Sequence, residues 1–248
     1  MKYVSLFDLI ATLYPNWRDG EKLLPYTGSL DDILSELEKI LTTKGPQDLL
    51  EDYTVRALHP PRIIRAAIDY KIEATHIAHT EELVREAINL ALAVYTGSPS
   101  AASALNDFRS HILETGNSAL LTRVITQPDD MVTWSATHPE LSEETTNKIL
   151  SSAESKDVLF ISLAHGGVAA GLDVYLRYCA LSKSTNSEFY VARFSRAKSH
   201  DLQPRITEGE ISYLQQLARG RQVIIFDEDM STGKTLKAKD IDAFLEEL

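Results

Sequence analysis

The chain has 248 residues, 44% of them hydrophobic and 25% charged, with a formal net charge of −11 and a sequence pI near 5.1. These values exclude collagen-like, disordered and disulfide-framework proteins, and they allow a large core in one or two domains. The single Cys179 rules out an internal disulfide or a cysteine-rich zinc site, and its apolar setting (LRYCAL) predicts a buried, inert thiol.

No run of 18 apolar residues occurs, so no transmembrane helix is expected. The N-terminal patch MKYVSLFDLIATLYPNW is interrupted by Asp8 and lacks a small-residue cleavage site, which speaks against a secretory signal and for a cytoplasmic protein. Most of the excess acid lies in residues 1–150. Within 193–221 the balance reverses, with Arg193, Arg196, Lys198, Arg205, Arg219 and Arg221 outnumbering the acids. An acidic chain with one local basic segment is not a general nucleic-acid binder, but it can hold a small polyanion.

In chain order, the first part reads as mostly helical. Ser29 caps LDDILSELEKILTTKG, two aspartates favour the positive helix end, apolar residues recur at 30, 33, 34, 37, 40 and 41, and Gly45 stops it. A second helix is expected to start at Pro60-Pro61 and run through IIRAAIDYKIEA. A third, EELVREAINLALAVYTG, ends at Gly97, and a fourth, SALNDFRSHILETG, at Gly116.

The texture changes near residue 119. ALLTRVIT and MVTWSA are short and β-branched and flank QPDD, which predicts a strand pair joined by a turn. PELSEETTNKILSSAE follows as a helix. Strands VLFISLA, EFYVARFS and QVIIFDED then alternate with helices GGVAAGLDVYLRYCALS, GEISYLQQLARG and GKTLKAKDIDAFLEEL. This alternation predicts an α/β fold with a parallel, doubly wound sheet. The expected organisation is a mostly helical domain, 1–118, that serves as a hood or binds a partner, and an α/β domain, 119–248.

The most informative stretch is VIIFDEDMSTGKT, 223–235. A buried strand ends in three acids, then Ser231-Thr232-Gly233, then Lys234-Thr235 at a helix start. In an open α/β sheet, ligands sit beyond the carboxyl ends of strands, and small residues before a helix let backbone N–H groups approach a phosphate. The acids can accept hydrogen bonds from sugar hydroxyls or help hold Mg²⁺. A Walker A loop fits poorly: its first glycine would fall at 228, which is glutamate.

The stretch resembles the phosphoribosyl pyrophosphate (PRPP) loop of the type I phosphoribosyltransferases. The resemblance implies that Asp227 and Glu228 bind the ribose hydroxyls and contribute to an Mg²⁺ site. It implies that Ser231 stands near the reacting base, and that Thr232, Gly233, Lys234 and Thr235 join Ser231 in the 5′-phosphate loop. Asp229 stands where the family is usually apolar, and Ser231 where purine-salvage members carry aspartate.

The family also has a pyrophosphate loop after its first core strand. Here VLFISLA leads into His165-Gly166-Gly167, with histidine in place of the usual Lys or Arg. Arg193, Arg196 and Lys198, in the basic stretch after the second strand, are expected to reach the pyrophosphate. The resemblance covers about 155–245 and implies transfer of the phosphoribosyl group of Mg·PRPP to a nitrogenous base or related small-molecule acceptor. Two rivals stand beside it: a non-catalytic module of the same fold that senses PRPP or a nucleotide, and a P-loop ATP-dependent phosphotransferase. The oligomeric state is open, a homo-oligomer included.

Other constellations carry less. Glu73-x-x-His76-x-x-His79 puts metal-ligand residue types a turn apart, with His59 and His111 elsewhere as the remaining candidates; surface or capping roles are expected. Trp17 and Trp134 read as packing residues, and no G-x-S-x-G nucleophile motif occurs.

Overall fold

The computed structural model describes residues 3–15, 26–43, 48–74, 79–127, 136–193 and 205–227. It is a mixed α/β protein, mostly helical, and it divides into Val4–Met131 and a second unit made of Met1–Tyr3 with Val132–Leu248.

The first unit contains α1 (Leu6–Leu13), β1 (Tyr26–Ser29), α2 (Leu30–Thr42), α3 (Leu49–Glu73), α4 (Thr80–Tyr95), α5 (Ala101–Glu114), a 3₁₀ turn (Ser118–Leu120) and β2 (Val124–Gln127). Asp8, which breaks the N-terminal apolar patch, closes a capping box with Ser5 at the start of α1. Ser29 and Asp32 repeat that box on α2, where Ser29 Oγ accepts from the Asp32 N–H and the Asp32 carboxylate accepts from the Ser29 N–H. The α2 stripe Leu30, Ile33, Leu34, Leu37 and Ile40 is buried, as its spacing demands. Each such side chain contributes about 1.5–3 kcal/mol on burial.

The helix expected to start at Pro60-Pro61 instead starts at Leu49 and runs through both prolines to Glu73. Asp48 caps it by accepting from the Leu50 and Glu51 N–H groups. An interior proline normally breaks a helix because it removes a donor and crowds the preceding turn. Here residues 57–64, which flank and include the prolines, are all buried, so tertiary packing outweighs the local penalty. One orphaned acceptor has a substitute donor: the Tyr95 hydroxyl, on α4, donates to the Ala57 carbonyl at 2.6 Å.

Of the expected strand pair, the first member forms, and it has a partner the sequence did not announce. Val124–Gln127 pairs antiparallel with β1, in the register Thr27↔Thr126, and does not extend the parallel sheet. Its expected partner MVTWSA lies largely outside the described residues, as do Trp17 and Trp134. The pairing serves α2 as well, because the Leu30 and Asp31 N–H groups donate to the Arg123 and Leu121 carbonyls.

The second unit contains α6 (Pro139–Ser152), β3 (Val158–Ala164), α7 (Gly167–Ser182), β4 (Glu188–Arg193), α8 (Glu208–Ala218) and β5 (Gln222–Phe226). The strands form a parallel sheet in the order β4-β3-β5. The central β3 is buried along its whole length, which is why VLFISLA is apolar without alternation. Phe160 of β3 lies between Phe189 of β4 and Phe226 of β5, with centroids 6.0 and 5.6 Å away, and Tyr175 of α7 meets Phe160 and Phe189. The helix expected over 233–248 lies outside the described residues.

Cys179 is half-buried, and burial pushes its thiol up, which keeps it protonated and unreactive near neutrality. Among the described residues, no helix is long and apolar enough to cross a membrane.

Candidate functional site at the carboxyl edge of the sheet

The chain visits β3, then β4 on one side, then β5 on the other. The chain thus moves outward from β3 to β4 and then crosses back to β5 on the other side of β3. Such a reversal opens a crevice beyond the strand ends, where ligands of open α/β sheets bind. The register sets its floor: Ala164 pairs with Arg193, and Ser162 with Phe226. The His165 loop, Arg193 and Asp227 thus emerge side by side along one edge.

His165 and Gly166 alone separate β3 from α7, so the turn is tight. The Ala164–His165 peptide bond is cis. Gly166 has an ordinary helical φ of −62° and ψ of −45°. The glycine that close approach requires is Gly171, one turn into α7. A Cβ there would lie 2.4 Å from Ser162 Oγ and 2.8 Å from Ser162 Cβ. Ser162, fully buried, donates from Oγ to the Gly167 carbonyl at 2.7 Å. Strand, loop and helix are therefore locked to one another. The sequence carried a signal for this pair, since Ser162 is the one polar residue of an otherwise apolar strand.

Arg193, the last residue of β4, is only 5% exposed. Its guanidinium lies against the His165 ring, with Nη1 3.0 Å from Nδ1 and also in contact with Nε2. A guanidinium has donors only, so in this contact the imidazole can serve only as an acceptor. The fixed positive charge beside the loop is that of Arg193. The Arg193 carbonyl also accepts from the Arg205 N–H at 2.8 Å, tying together the two ends of the basic stretch. Arg196 and Lys198 lie between those ends, outside the described residues.

On the other side of β3, Asp227 follows β5 and is 8% exposed. It lines a cleft of about 370 Å³ between α6 and β5, with walls from Leu141, Ile149, Ile224 and Phe226 and with Lys148 in its lining. The structure thus brings His165, Gly166, Gly167, Arg193 and Asp227 to one edge of one sheet. Glu228, Ser231, Thr232, Gly233, Lys234 and Thr235 lie outside the described residues.

No protein-family model, curated protein or solved structure matches this chain. Its chemistry is therefore read from the site itself. A buried cation and a buried carboxylate flank a strand end whose loop leads directly into a helix N-terminus. A cation and helix N–H groups suit a phosphate, and a carboxylate suits hydroxyls or a hydrated cation.

A second titratable group, in the helical unit, is not apparent from the sequence. His59, 3% exposed, places Nε2 2.8 Å from Glu36 Oε2 and Nδ1 3.0 Å from Arg62 Nη1. The Arg62 guanidinium lies 4.5 Å from the Tyr26 ring centroid. By the same donor logic, His59 Nδ1 accepts from Arg62, so the neutral ring carries its proton on Nε2 and donates it to Glu36. Burial holds the His59 pKa below its ordinary value, and the bond from His59 holds Glu36 below its own.

Proposed function

We propose that the second unit binds Mg·PRPP at the carboxyl edge of its sheet and acts as a phosphoribosyltransferase of the doubly wound, type I kind. The observation that carries this reading is the meeting of the His165-Gly166-Gly167 loop, Arg193 and Asp227 at the carboxyl ends of β3, β4 and β5. The stretch resembling a PRPP loop begins at that point. Right-handed crossovers on either side of β3 would put α7 and α8 on opposite faces, as a doubly wound sheet requires.

In this reading, Arg193 and the backbone N–H groups entering α7 hold the pyrophosphate. Asp227 and Glu228 accept from the ribose hydroxyls and orient C1. Residues 231–235 hold the 5′-phosphate. A nitrogen nucleophile attacks C1, the C1–O bond to pyrophosphate breaks, and the bonding pair leaves with the pyrophosphate. Charge grows on the leaving group, so the fixed Arg193 cation stabilises the transition state more than the ground state.

Mg²⁺ is held by one or two carboxylates together with substrate oxygens, and Asp227 with Glu228 is a donor set of that kind. When bound, it would neutralise charge on the pyrophosphate. Orientation of the ribose by the acid pair is a positioning contribution.

The test is the Asp227→Asn, Glu228→Gln double variant. It should lose PRPP binding while its circular dichroism spectrum and unfolding midpoint stay close to those of the parent. Unchanged binding in the folded double variant would refute the assignment. Pyrophosphate release with a screened nitrogenous base would then separate catalysis from sensing.

A further inference from the structure

Four side chains of the helical unit converge where α4 begins and α5 ends, and the proposed reaction uses none of them. His79 precedes α4, Glu82 and Glu86 lie on its first two turns, and His111 lies in the last turn of α5. The packing of α4 on α5 unites residues far apart in sequence. Glu73, the other acid of the local motif, is engaged elsewhere: it accepts both terminal nitrogens of Arg123, at 2.5 and 2.8 Å.

The contacts assign the tautomer of His111. Its Nδ1 lies 3.0 Å from Glu86 Oε1, a carboxylate oxygen that only accepts, so Nδ1 carries a proton. In the neutral ring Nε2 then holds a lone pair. That atom is shut off from solvent and makes no hydrogen bond among the described residues. It faces Glu82 Oε2 at 3.8 Å. In that neutral form two acceptors face each other across a gap that a cation can fill. The same Glu82 oxygen lies 2.7 Å from His79 Nδ1, and the two imidazoles meet edge to face with centroids 6.3 Å apart.

We propose that His79 Nδ1, Glu82 Oε2 and His111 Nε2 form a site for a divalent transition-metal ion, zinc above all, that ties α4 to α5. Ligand atoms around tetrahedral zinc lie about 3.3 Å from one another, given bonds of roughly 2.0–2.1 Å. The distances of 2.7 and 3.8 Å bracket that value. As the side chains stand, no three of the described His, Cys, Asp and Glu residues enclose a metal position. The donors are closed on one another, and the ion replaces the proton between His79 and Glu82 while drawing His111 inward.

Glu86 then serves as the outer partner, holding the Nδ1 proton of His111 and orienting the ring, as carboxylates do for zinc-bound histidines. Glu82 and Glu86 supply negative charge for a divalent ion, with Arg85 Nη2 3.9 Å from the other Glu82 oxygen. Three protein ligands leave a fourth position for water.

The test is a calorimetric titration of zinc chloride into the chelator-treated full chain, paired with thermal melts. The expected result is one zinc per chain, with a raised midpoint. His79→Ala and His111→Ala should each weaken binding tenfold or more and remove the thermal shift. Glu86→Gln should weaken binding by about tenfold through loss of the orienting bond. Glu82→Gln, a change at an exposed position, provides a variant that keeps its fold should a histidine variant not. His138→Ala, in the other unit, should bind as the parent does. Absence of zinc binding, or binding unchanged in folded Glu82→Gln and His111→Ala, would overturn the site.

Discussion

The Tyr95 hydroxyl donates to the Ala57 carbonyl at 2.6 Å, the oxygen that the amide of residue 61 would serve if that residue were not proline. A side chain on one helix thus completes the backbone of another. Tyr95→Phe keeps the ring and removes only the donor, so the Ala57 oxygen is left buried and unserved. The expected cost is about 1–3 kcal/mol, read from urea denaturation. In a Pro61→Ala background the amide of residue 61 takes over, and the cost of Tyr95→Phe should fall towards zero. An equal cost in both backgrounds would show that the bond does not compensate for the proline.

Gly171 lets α7 sit against β3. Gly171→Ala places a methyl 2.4 Å from Ser162 Oγ and 2.8 Å from Ser162 Cβ. Overpacking of this kind costs about 1–3 kcal/mol. Ser162→Gly in the same chain removes both clashing atoms and should recover part of the loss, though not all, because the bond to the Gly167 carbonyl goes with them. Chemical denaturation of the single and double variants measures this directly.

The proposed reaction gives the anion-binding charge of the glycine loop to Arg193 rather than to His165. Inorganic pyrophosphate is the simplest probe of that division. Arg193→Ala should weaken its binding by tenfold or more, in line with about 1.5–3 kcal/mol for a charged hydrogen bond. His165→Asn, which keeps a polar side chain without a titratable ring, should weaken it less. The reverse order, measured by calorimetry, would move the charge from Arg193 to His165.

The Glu36–His59–Arg62 cluster predicts acid sensitivity in the helical unit. Burial depresses the His59 pKa below its ordinary 6.5, so below that value the unfolded chain binds a proton that the folded chain resists. Stability should be full above pH 6.5 and fall as the pH drops towards the folded-state pKa. Glu36 acts in the same direction at lower pH, because its depressed pKa gives stability that is lost as its carboxylate is protonated. Exposure of Glu36 keeps its share small. His59→Gln should flatten the upper part of this profile, as followed by thermal midpoints from about pH 8 to 5. An unchanged slope would show that the ring does not titrate on unfolding.

Much of the fold is legible because its signals are local. Ser29 and Asp32 lie three residues apart and cap α2 within one turn; the same device at Ser5 and Asp8, which starts α1, is hidden behind a patch that reads only as interrupted. The apolar run of β3 and its short connection to α7 announce a buried parallel strand. What the sequence hides is long-range. The prolines of α3 are tolerated because of packing and a hydroxyl on another helix, neither of which is visible in the periodicity of α3. Tyr26–Ser29 is too short to announce itself as a strand, so the partner of Val124–Gln127 could not be named. At the candidate site, His165 and Asp227 stand out by their place after strands. The Arg193–His165 contact depends on strand order, which spacing does not encode. The meeting of His79 with His111 depends likewise on how α4 packs against α5.

The proposed activity stands or falls with Mg·PRPP binding at the carboxyl edge of the sheet. Calorimetric titration of PRPP into the full chain, with and without Mg²⁺, is the decisive measurement. Micromolar binding is expected that requires Mg²⁺ and disappears in the Asp227→Asn, Glu228→Gln variant. Absence of PRPP binding in the presence of Mg²⁺ would contradict the assignment.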